Sequence, residues 1–252
     1  MEAAPVNFRL TDASRTALPG LALFLRASVY PDRMTGSNRS GIRVPRPGLT
    51  LRERAVLARL STPERIQAFV DAIPANYEAG GETVLSVREV LRQRRAHCIE
   101  GAFVAACALW VNDRPPLVMH LDSDPADWPH VVALFRRARA WGAISKSNHI
   151  GLRYRDPVYR SLRELAMSYF HEYCDRNGRR TLVSHSAAFD LRRIDPALWV
   201  TSDTPCWQAH DRLADRRHYP LVSARQRSNL SRLDPFERKV SRIAQFPRAS
   251  KA

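Results

Sequence analysis

With 252 residues, 44% of them apolar, and five Trp, seven Tyr and nine Phe, the chain can bury a sizeable core, which excludes disorder throughout. Its 40 basic residues exceed 25 acidic ones for a net charge of +15, yet only Lys146, Lys239 and Lys251 are lysines. So one-sided a use of arginine weighs against a dedicated nucleic-acid surface. No apolar run approaches the roughly 18 residues of a membrane span, so no membrane partner is expected.

Residues 1–50, with Pro19, Pro31, Pro45 and Pro47 and the stretch Thr35-Gly36-Ser37-Asn38, read as a mostly irregular N-terminal arm. Glu2 sits where a signal peptide would be basic, and the apolar run Leu21 to Leu25 is too short for its hydrophobic region, so a cytoplasmic address is expected. Helical periodicity begins after Thr50 and opens a domain over 51–195, with its core from about 60 to 195. Ser61 with Glu64, ahead of Ile66, Phe69, Val70 and Ile73, has the spacing of a capping box, as does Ser86 with Glu89.

The stretch from Ala96 to Trp110, AHCIEGAFVAACALW, is free of proline and rich in helix formers, and predicts a buried helix. Three candidate strands follow, Leu117 to Leu121, His130 to Phe135 and Trp141 to Ser145. A helix followed by an antiparallel meander is an α+β signature. Asp156-Pro157 is then expected to introduce an amphipathic helix through about Cys174, with Leu162, Leu165, Ala166, Tyr169, Phe170 and Tyr173 on one face. Arg180 to Ser184 predicts a further strand. Residues 196–252 form a C-terminal extension, and beyond about 222 eight basic residues against two acidic ones predict a mobile basic tail, with a short helix around Phe236 to Ile243 as the alternative.

The four cysteines, Cys98, Cys107, Cys174 and Cys206, lack CxxC spacing, so neither a disulfide framework nor a zinc site is expected. Cys98 falls in the first turn of the buried helix, where unpaired N–H groups and the macrodipole favour a thiolate. Cys107, nine residues on and about 180° around, faces away and is expected to be a small core residue, as are Cys174 and Cys206. A thiol needs a base brought to it by the fold. His97 is adjacent but expected to point elsewhere; His130, opening an alternating strand, can meet the thiol.

A cysteine at a helix start, a strand, a histidine opening the next strand and a tryptophan eleven residues later on a third strand together resemble the transglutaminase-like superfamily. Its pattern runs Cys, then His-Ala-Trp, then Trp-x-x-x-Asp; the matching pieces here are Cys98 in AHCIEGAF, His130 in DWPHVVALF and Trp141 in WGAIS. The resemblance implies a papain-like α+β domain, with the Cys-bearing helix packed on an antiparallel sheet and further helices around it, in a cysteine-protease-like branch. It implies Cys98 as nucleophile, His130 as base, and a carboxylate fifteen residues after the histidine to orient the ring. That position holds Ser145, so the third member is Ser145, which could accept a hydrogen bond from Nδ1–H, with Asn148 and Asp156 as alternatives.

Glu100 is expected to cap the helix start or to pair with an arginine, and Lys146 to be either a solvated strand-end lysine or a compact charge near the thiol. The His and Asp residues between His120 and His130 have no metal-ligand spacing, so neither metal nor other cofactor is expected. The leading expectation is a cysteine hydrolase or acyltransferase that cleaves an amide or peptide substrate through a Cys98 acyl-enzyme, the Cys98 N–H forming part of an oxyanion hole. The alternatives are a catalytically weak or inactive binding or scaffold protein of the same fold, and a basic nucleic-acid binder.

Overall fold

In this computed structural model the described residues are 47–248, so the arm expected over 1–50 lies outside them except for 47–50. Four helices precede the sheet, and caps set where three of them begin. α1 (Leu51–Ala58) opens on Thr50, whose hydroxyl accepts the Glu53 N–H at 3.2 Å while the Glu53 carboxylate accepts the Thr50 N–H at 2.7 Å. α2 (Pro63–Ala72) starts from Thr62 rather than Ser61, because Pro63 fits the first helical position, where no N–H is needed. α3 (Val87–Gln93) is capped by Ser86, and its chain leaves at Arg94 in the left-handed region, with φ 57°. α4 (Cys98–Val111) is buried from Ile99 to Leu109, as an alanine-rich helix free of charge beyond its first turn can be.

The sheet comprises β1 (Leu117–Ser123), β2 (His130–Arg137), β3 (Ala140–Ile144), β4 (Arg155–Tyr159), β5 (Leu182–Ser186), β6 (Phe189–Asp190) and β7 (His218–Pro220). Its order is β4-β3-β2-β1-β5-β7, with β6 beside β1, and every pairing is antiparallel. The architecture is α+β. Both faces are covered, which is why β1 and β2 read as nearly continuous apolar runs. Val118, Val131, Ala133, Phe135 and Ile144 belong to a core shared with α1 to α4. Met119, Leu121, Val132, Leu134 and Ala143 join a second core with Tyr169, Phe170 and Tyr173.

Two stretches depart from expectation. The helix expected from Asp156-Pro157 to Cys174 is instead β4, an edge strand on which Pro157 is tolerated, followed by the short α5 (Leu162–Met167) capped by Ser161. The helix stops there because Ser168 Oγ donates back to the Leu165 carbonyl at 2.7 Å and the Arg155 guanidinium takes the Ser168 carbonyl at 3.0 Å. The apolar face survives in turns: Tyr169, Phe170 and Tyr173 still fill the second core.

The second departure is the segment beyond 222, expected to be mobile. After α6 (Trp207–Ala214), it forms α7 (Ala224–Ser228) and α8 (Pro235–Ser241), and it docks. Leu233 is buried, its N–H donates to the Gly178 carbonyl at 2.9 Å, and Leu230 packs on the second core. Leu230 and Leu233 suffice to dock the segment, while Phe236 and Ile243 stay exposed. All described residues lie in one compact unit, and Trp199, Val200, Cys206, Ala209 and Leu213 contribute to the first core.

Candidate active site

Cys98 is the first residue of α4, where the helix presents N–H groups that have no partner in a preceding turn. Its thiol is partly exposed and lies 4.0 Å from the Pro129 carbonyl, immediately before β2. Burial would raise its pKa, but hydrogen bonding from His130 and then from His97, with the charge of both rings, lowers it well below the ordinary thiol value. The other three thiols go the other way. Burial raises Cys107 and Cys174, and pushes Cys206 up to about 12.

The hairpin of β2 and β3 brings His130, the first residue of one strand, beside Ser145, just past the end of the other. His130 Nε2 lies 2.7 Å from Ser145 Oγ, and Ser145 Oγ donates to the Leu152 carbonyl at 2.5 Å. That second bond decides the first. With its own proton committed to Leu152, the serine must accept from Nε2–H, which leaves His130 Nδ1 as the nitrogen free to exchange a proton with the thiol. The ring nitrogen held by Ser145 is therefore Nε2, where Nδ1 was expected. Ser145 is fully buried, and its backbone is gripped by Gln67, which accepts the Ser145 N–H at 2.9 Å and donates to its carbonyl at 2.8 Å.

The structure separates the two alternative third members from the histidine. Asn148 spends its carboxamide on Tyr77 and Phe246. Asp156 lies exposed on β4, with β3 between it and β2.

His97 does not point elsewhere. Its ring reaches Cys98, and its Nε2 lies 2.9 Å from the Thr83 carbonyl and 3.2 Å from Glu100 Oε1. Burial alone would lower its pKa, but Cys98 and Glu100 together raise it to about 11, which favours the protonated ring between thiol and carboxylate. Glu100 is wholly buried, and it is fully satisfied. It accepts from the His97 N–H (2.8 Å), the Leu85 N–H (2.9 Å), Thr83 Oγ1 (2.9 Å) and Asn76 Nδ2 (3.0 Å). Burial pushes its pKa up, but His97 and these donors hold it below the ordinary value. The expected cap is there, but the charged partner is a histidine and not an arginine. One signal for this pair was in the sequence, since His97 and Glu100 have the same three-residue spacing as Thr50 with Glu53 and Ser86 with Glu89. Asn76 and Thr83 carried none.

Lys146 is neither solvated nor aimed at the thiol. It is 2% exposed, donates to the Ile73 carbonyl and lies over the first turn of α4, where a Cβ on Gly101 would stand 2.3 Å from the Lys146 Cβ. Burial lowers its pKa to about 8. Among the described residues no group of three or more His, Cys, Asp or Glu side chains could hold a metal, and no helix is long and apolar enough to cross a membrane. No protein-family model matches the chain, and no curated protein matches it.

Proposed function

We propose that the chain is a transglutaminase-like cysteine hydrolase or acyltransferase, acting on an amide or peptide through an acyl-enzyme on Cys98. The observation that carries the reading is a partly exposed thiol at a helix N-terminus, depressed in pKa and faced by a histidine whose far nitrogen is tied down. The superfamily assignment rests on the order of elements, with the cysteine opening a helix packed on β2 and the histidine opening β2 itself.

In this reading His130 Nδ1 takes the Cys98 proton, and the thiolate attacks the acyl carbon to form a C–S bond. The carbonyl oxygen becomes an oxyanion against the Cys98 N–H at the helix terminus. His130 returns the proton to the departing amine as the C–N bond breaks. Water then attacks the thioester, His130 accepting its proton, and releases the acid and the free thiol. Ser145 orients the ring but brings no charge to stabilise the imidazolium. The thiolate instead gains a positive neighbour in His97, whose proton Glu100 helps to hold.

An activated acyl ester tests the proposal. Incubation with p-nitrophenyl acetate should release a burst of p-nitrophenolate and leave a hydroxylamine-labile acetyl group on the peptide containing Cys98. Both should fall sharply in His130→Ala. An unmodified Cys98, or an adduct indifferent to His130, would favour the binding or scaffold reading.

A further inference from the structure

Residues 243–248 of the chain lie across Tyr77, Lys146 and Asn148, and most of the contacts are hydrogen bonds to their backbone. The Asn148 carboxamide makes a matched pair with one residue: Nδ2 donates to the Phe246 carbonyl at 2.9 Å while Oδ1 accepts the Phe246 N–H at 2.8 Å. The Gln245 N–H donates to the Asn148 carbonyl at 2.9 Å, and the Tyr77 hydroxyl donates to the Phe246 carbonyl. His149 Nδ1 sits 3.2 Å from the Ile243 carbonyl. Each of these bonds goes to a main-chain atom of a segment that bends at Gln245 and Phe246, so they read backbone and not sequence. Side chains contribute a hydrogen bond from Arg153 to the Gln245 carboxamide and two ring contacts: Lys146 Nζ lies 4.9 Å from the Phe246 ring centre, and the Arg248 guanidinium 5.5 Å from that of Tyr77.

The segments that carry this surface also carry residues of the site. Lys146 follows Ser145 and covers Gly101, one turn along α4 from Cys98. Tyr77 follows Asn76, which donates to Glu100 and whose N–H bonds the Ala96 carbonyl just ahead of His97. The ends of the occupant are exposed, Ile243 by 62%, while Phe246 is the half-buried residue at its centre. We infer that Tyr77, Lys146 and Asn148 form a binding site for a peptide segment carrying an aromatic residue, and that residues 243–248 fill it as an internal occupant. The inference names the substrate class for the proposed Cys98 chemistry and rests on that proposal only for the peptide's fate, not for its binding.

The test uses the full chain with Phe246→Pro, which removes the N–H that Asn148 accepts, and a fluorescein-labelled peptide of residues 241–248 followed by anisotropy. A tethered occupant competes at an effective concentration in the millimolar range, so the variant should bind the peptide at least about tenfold more tightly than the parent. Adding Asn148→Ala should reverse the gain, while adding Cys98→Ser should leave it intact. Phe246→Gly, which keeps the backbone donor but removes the ring, should give an intermediate affinity and serves should the proline disturb the fold. Equal binding by parent and both variants, or binding indifferent to Asn148→Ala, overturns the inference. Binding that follows this pattern while Cys98 takes no acetyl group upholds the site and sinks the chemistry alone.

Discussion

Ser145 occupies the position where the resemblance calls for a carboxylate, and its two hydrogen bonds explain why a neutral group can serve there. Ser145→Ala removes an acceptor worth about 1 kcal/mol, so Cys98 alkylation should slow by roughly fivefold. Asp156→Ala should leave it unchanged. Ser145→Asp should bring no gain, because a carboxylate has no proton for the Leu152 carbonyl and would be left facing it. Glu100→Gln probes the other histidine. With its counter-charge gone, His97 should lose its proton more readily, and the Cys98 thiol pKa, read from the pH profile of alkylation, should rise by about one unit. The stability sign follows from the same shift. A histidine raised from 6.5 to about 11 stabilises the fold fully below about 6.5 and loses that contribution as pH climbs through 11. The urea-midpoint difference between parent and Glu100→Gln should therefore narrow between about pH 7 and pH 10.

At the scale of elements, α4 can lie against its neighbours only because its first turn carries a glycine. Gly101→Ala would drive a methyl into the Lys146 stem, at 2.3 Å from Cβ and 2.8 Å from Cγ, and should cost about 1–3 kcal/mol in urea unfolding. The helix and the three strands after it were legible because their signals are local: an apolar run without proline, then apolar segments cut by turn residues. That Cys98 opens a helix and His130 opens a strand packed against it was legible from element order. The segment from Asp156 to Cys174 was not, because its helical periodicity is real but is interrupted by hydrogen bonds from Arg155 and Ser168 that no pattern announces. His97 was misjudged for a similar reason: what turns its ring to the thiol is the Thr83 carbonyl, fourteen residues away, and a buried carboxylate.

Over the whole molecule, the segment beyond 222 is part of the fold rather than an appendage. Composition spoke for mobility, since charge dominates it, but Leu230 packs on the second core, Leu233 is buried against Gly178, and residues 243–248 bond to Tyr77 and Asn148. Leu233→Ala should cost about 2 kcal/mol and lower the thermal midpoint by roughly 5 °C. An unchanged midpoint would restore the picture of a free tail. The net charge of +15 gathers no role at the site, where the positive charge beside the thiol comes from histidines and not from arginine.

The central claim is that Cys98 is held as a reactive thiolate, and the rate of its alkylation by iodoacetamide in the native protein, resolved by peptide mass spectrometry across pH, tests it most directly. Cys174, also partly exposed but raised in pKa, is the internal control. The account predicts that Cys98 is modified first, at a rate already on its plateau near neutral pH and reduced in His130→Ala. A Cys98 rate that climbs up to about pH 8.5 as a free thiol's does, in step with Cys174 and indifferent to His130, would contradict it.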